Sequence, residues 1–90
     1  MKRDEAEQIV AELNAILRDL PLAKAVEDAR FEQLQRQLKA SDWRTVIDEF
    51  QVIDGAAYGK ARLVSADSED WKRIMDGRAE VTWSVFVKRR

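Results

Sequence analysis

The spacing of apolar residues changes partway along this chain, and that change limits the fold more than any other feature. Up to Leu38 they recur at three- and four-residue steps, whereas from about Phe50 they tend to alternate with polar ones. A helix repeats every 3.6 residues and a strand every two, so the first part predicts amphipathic helices and the second predicts strands. Helices grouped first and strands later imply an α+β fold, with the helices packed on one face of a sheet.

Ala6, Ile9, Val10, Leu13, Ile16, Leu17 and Leu20 form a broad apolar stripe, with Glu5, Glu7, Gln8, Glu12, Asn14 and Arg18 on the other side. Asp4 followed by Glu7 has the spacing of a capping box, and the pattern predicts a helix over 4–20. Pro21 disfavours helical geometry at Leu20 and suits the first turn of a new helix, so a helical hairpin follows, with its second helix over 21–39. The second pattern is split. Leu22, Val26 and Ala29 share one face, while Phe31, Leu34 and Leu38 share another, rotated from it by about 130°. Such a phase jump requires either a bend near Asp28–Arg30 or burial on two sides, and two-sided burial would bring in a partner subunit.

In 41–50, Trp43, Val46, Ile47 and Phe50 fit helical spacing behind Ser41 as an N-cap, which predicts a short third helix. The competing strand would need a bulge at Asp48–Glu49 to bring Trp43, Thr45, Ile47, Phe50 and Val52 to one face. Strands are then expected over 49–54 and 58–66, joined by the turn Asp54-Gly55-Ala56-Ala57. Ser68 caps a short helix over 68–76 that Gly77 closes. Val81, Trp83, Val85 and Val87 alternate with polar residues in a final strand over 79–88, where Phe86 breaks the polar row. The expected architecture is an N-terminal helical hairpin on a three-stranded antiparallel sheet, with a short helix before the last strand.

Ninety residues suit one domain. The chain has no Cys and no His, which removes disulfides, thiolate metal sites, thiol nucleophiles and the commonest general base. A secreted domain this small would usually be stapled by disulfides, so a cytoplasmic location is expected, and the start MKRDEAEQIVAEL lacks the sustained apolar stretch of a signal peptide or membrane span. Sixteen basic and 17 acidic residues nearly cancel, which weakens any general electrostatic case for nucleic acid.

Candidate chemistry is sparse. Asp48, Glu49 and Asp54 flank the first strand turn, and Asp67, Glu69 and Asp70 the short helix; acids at a helix start are explained by capping, and no EF-hand spacing is present. GAAYG fits no phosphate-cradling motif. No catalytic residue, metal ligand or cofactor is therefore expected. The leading expectation is a non-enzymatic interaction protein, an adaptor, inhibitor or assembly subunit of the bacterial or phage accessory kind, with a protein partner or a second copy of itself. Its candidate contact residues are Phe31, Leu34, Leu38, Trp71 and Phe86, since aromatics lead interface hot spots. The alternative is a nucleic-acid-associated regulator, in which Tyr58, Lys60 and Arg62 join the basic end Lys88, Arg89 and Arg90.

Overall fold

A computed structural model describes residues 1–69, 71–72 and, for their backbone, 85–87. The first helix, α1, spans Arg3–Asp19 and buries Ala6, Ile9, Val10, Leu13 and Leu17, the stripe read from the sequence. Lys2 is its N-cap and no side chain caps it. Asp4 and Glu5 lie in the first turn and act on the helix dipole instead of closing a capping box. Leu20 is extended, as expected of a residue before proline.

The single helix expected over 21–39 is two, α2 at Leu22–Ala25 and α3 at Ala29–Lys39. Asp28 causes the break. Its Oδ1 accepts from the backbone N–H of Arg30 at 2.9 Å and of Phe31 at 3.0 Å, an N-cap worth about 1 kcal/mol. Because the chain restarts there, α3 takes its own rotation and turns Phe31, Leu34 and Leu38 inward. All three are fully buried with Leu13, Leu17, Ile47 and Ala61 in one core. The row expected to face a partner is therefore the inner face of α3. Glu12 and Arg30 link α1 to α3 at 2.8 Å, but both are half exposed and the pair contributes well under about 1 kcal/mol.

The short helix expected over 41–50 is instead strand β1, Trp43–Ile53. Ser41 ends α3 instead of starting a helix: its Oγ donates to the carbonyl of Leu38 at 2.7 Å and accepts from the N–H of Trp43 at 3.1 Å. The Arg44 guanidinium adds bonds to the carbonyls of Ser41 and Trp43, at 2.6 and 2.7 Å. Thr45, Val46 and Ile47 are consecutive and all buried. Ile47 faces the helices, whereas Val46 packs with Val64 and Trp71 on the other side. A strand covered on both faces loses its alternation, which is why this segment matched helical spacing.

Strand β2, Ala56–Ser65, pairs antiparallel with β1 from Trp43↔Ser65 to Ile53↔Ala56. A bulge interrupts the register between Asp48 and Gln51, where Glu49 takes φ 54°. The turn is tighter than expected. Asp54 and Gly55, at φ 51° and 80°, are its only two residues, the paired positive φ of a type I′ hairpin. β2 consequently begins two residues before Tyr58.

The third strand, β3 at Val85–Val87, pairs parallel to β1, giving the order β2-β1-β3. The antiparallel part of the sheet thus has two strands, not three. A parallel neighbour needs a crossover of about a dozen residues or more, which 66–84 can supply, and side-chain alternation carries no information on strand direction. The remainder of the expected 79–88 strand lies outside the described residues. Ser68 does start a helical turn: its Oγ accepts from Trp71 N–H at 3.1 Å and its carbonyl from Lys72 N–H at 3.0 Å. The rest of that helix to residue 76 also lies outside them. Among the described residues no helix is long and apolar enough to cross a membrane.

Candidate interaction surface

Asn14 connects α1 to the outer edge of the sheet. Its side-chain amide takes both backbone groups of Ala61: the Ala61 N–H donates to Oδ1 at 2.7 Å, and Nδ2 donates to the Ala61 carbonyl at 3.0 Å. On the same stretch of chain, the N–H of Ala66 points the other way and donates to the carbonyl of Asp42 at 2.8 Å. Backbone groups alternate along a strand, so the even-numbered residues of β2 address β1 and the odd-numbered ones point outward. Asn14 therefore makes the two bonds that a further strand would make to this edge. Among the described residues, the outward groups of Ala57, Gly59 and Leu63 have no comparable partner.

Gly59 sits where β2 passes the bulge. A Cβ there would stand 2.6 Å from Cγ2 of Ile47 and 3.5 Å from Cδ2 of Leu22. The nearer atom belongs to a stiff, fully buried β-branched side chain. Gly59→Ala is expected to destabilise the protein by about 1–3 kcal/mol through overpacking, read as a lower urea midpoint at unchanged slope.

Beyond Asn14 the C-terminal turn of α1 and the distal half of the hairpin enclose an open cleft of about 650 Å³. α1 contributes Leu17, Arg18 and Asp19, and the hairpin contributes Glu49, Gln51, Ile53, Tyr58, Gly59 and Lys60. The volume lies within the roughly 300–1,000 Å³ of ligand-sized clefts. Of the charged residues that line the cleft, Arg18, Asp19, Glu49 and Lys60 make no ion pair among the described residues. At the hairpin end next to the cleft, Val52 is 73% exposed and Ile53 51%.

The residues singled out from the sequence divide accordingly. Tyr58 and Lys60 line the cleft, and Arg62 projects from the same side of β2, where its Nε reaches Oδ2 of Asp48 at 3.2 Å. Trp71, expected as a contact residue, is instead buried against Val46 and Val64, so the face of the sheet opposite the helices is covered at that point. Phe86 lies opposite Val46 in the parallel pair. Lys88, Arg89 and Arg90 lie outside the described residues. Of the acids, Asp48 is paired with Arg62, Glu49 lines the cleft and Asp54 forms the turn. Among the described residues no three acidic side chains converge to hold a metal ion.

Sequence reasoning overlooked Asn14, Arg18, Gln51 and Ile53. For Asn14 a signal exists: it is a poor helix former at the border of the stripe, four residues after Val10 and three before Leu17. A residue so placed is favoured only if its amide has a job. No protein-family model, curated protein or solved structure matches the chain.

Proposed function

We propose that this protein is a small non-enzymatic interaction module that binds a partner protein through the distal half of its hairpin, residues 49–60, and the adjoining cleft. The observation that carries this reading is the pair of exposed aliphatic side chains, Val52 and Ile53, held on opposite faces of β1 beside the type I′ turn and near Arg18, Asp19, Glu49 and Lys60, which make no ion pair among the described residues. Exposed aliphatic groups interspersed with charged, solvated ones have the composition of a protein interface. The rigid turn lowers the ordering cost of binding, because two residues with positive φ already fix the direction of the tip.

The test compares partner capture by the wild-type protein with capture by a Val52→Asp, Ile53→Asp double variant. Both side chains are exposed, so folding is expected to persist, checked by an unchanged circular dichroism melt. Loss of two buried aliphatic contacts is expected to weaken the partner complex on the order of 100-fold. A variant that retains its partner at wild-type affinity would remove the hairpin from the interface.

A second reading rests on Tyr58, Lys60 and Arg62 sharing one side of an edge strand, which suits stacking and phosphate contacts with single-stranded nucleic acid. Its signature is binding to a labelled oligonucleotide that falls steeply with added salt and is lost in Lys60→Glu.

A further inference from the structure

Resting on the interaction-module reading, we infer that the partner segment binds as an added strand on the outer edge of β2 at Ala57 and Gly59, in extended form, with an acidic side chain opposite Lys60 and an apolar one opposite Tyr58. The edge itself defines the chemistry. Ala61 already holds an amide in strand-like fashion, through both its N–H and its carbonyl, and that amide belongs to Asn14. Two and four residues earlier, Gly59 and Ala57 direct the same pair of groups outward, and among the described residues nothing meets them. A peptide backbone is the ligand that satisfies alternate N–H and C=O groups along such a row.

Asn14 also sets the limits of the site. A strand laid along the edge stops before Ala61 unless it displaces the Asn14 amide, so the available run is the stretch that borders the cleft. Gly59 has no side chain, and Ala57 has only a methyl, which lets another backbone approach closely. On the side of β2 that carries Tyr58 and Lys60, the added strand places its own side chains two residues apart beside them. Among the described residues Lys60 is exposed and makes no ion pair, so a carboxylate suits the first position; Tyr58 is half buried and suits an aliphatic group at the second. Cross-strand opposite charges and aromatic–β-branched pairs are both favourable contacts of this geometry.

The experiment uses the full chain and a defined probe, the capped heptapeptide acetyl-Thr-Glu-Thr-Val-Thr-Glu-Thr-amide, with the Lys-for-Glu peptide as its counterpart. Amide resonances and hydrogen exchange are followed by NMR. The acidic peptide is expected to slow exchange at Ala57 and Gly59, while the basic peptide leaves both unchanged. Ala57→Pro removes one outward donor at an edge position where proline is tolerated, and it is expected to weaken binding about fivefold. Lys60→Glu is expected to reverse the preference between the two peptides. Absence of protection at Ala57 and Gly59 with either peptide overturns the inference. So does concentration-dependent protection without peptide, which would assign the edge to a second copy of the chain, and so does displacement of the peptide by oligothymidylate at matched concentration. Failure here, with partner capture still sensitive to Val52→Asp and Ile53→Asp, removes the added strand but leaves the interaction-module reading intact.

Discussion

Phe31→Ala is expected to lower the unfolding free energy by about 3–5 kcal/mol. The side chain is fully buried, among the largest so placed, and it packs in the cluster that joins α1, α3, β1 and β2. Removing the ring costs its transfer free energy and leaves a cavity that four surrounding elements cannot all close. A domain of this size has a total stability of only about 5–15 kcal/mol, so the variant retains little margin. Urea unfolding followed by tryptophan fluorescence measures the loss. The same experiment separates the two roles that the sequence left open for this residue. A Phe31 that faced a partner from the surface of the monomer would change stability by less than about 0.5 kcal/mol on truncation.

The second large effect is expected at Asn14. Asn14→Leu keeps a side chain of similar size but removes both bonds to Ala61. Each backbone group left without a partner costs about 1–3 kcal/mol when fully buried. The site is part-buried, so water recovers some of that loss and the expected total is about 2–3 kcal/mol. Two further readouts distinguish a strand-like latch from a generic packing contact. Exchange at the Ala61 amide should accelerate more than at Val64, whose N–H faces β1. The freed edge should also self-associate at high concentration, visible by light scattering, because an unpaired strand edge is a template for another chain. Asn14→Asp is an informative companion. A carboxylate still accepts from the Ala61 N–H but meets the Ala61 carbonyl with a second acceptor, so it should restore only part of the stability.

What the sequence could convey follows from how local each signal is. The α1 stripe was fully legible because one helix face meets one core, and the spacing of Ala6 to Leu17 records that directly. The break at Asp28 was legible as a phase jump, but not its consequence. Whether Phe31, Leu34 and Leu38 turn inward depends on where α3 lies relative to α1, a tertiary fact that no spacing encodes. Residues 41–50 misled for a different reason: Thr45, Val46 and Ile47 are buried on both sides of the sheet, so the pattern lost its period of two. The same covering explains Trp71, whose flanking charges suggested a surface although its ring packs on Val46 and Val64. The cleft was the least legible part. It assembles Arg18 with Lys60 and Tyr58 across some forty residues of chain, and only Asn14 carried a local hint.

The most direct test of the hairpin as the binding element is a hydrogen-exchange footprint of the full chain with and without its captured partner. Protection is predicted across residues 49–60, strongest at Ala57 and Gly59, with the outward faces of α1 and α3 unchanged. Protection confined to α1 and α3, with residues 49–60 exchanging as in the free protein, would contradict it.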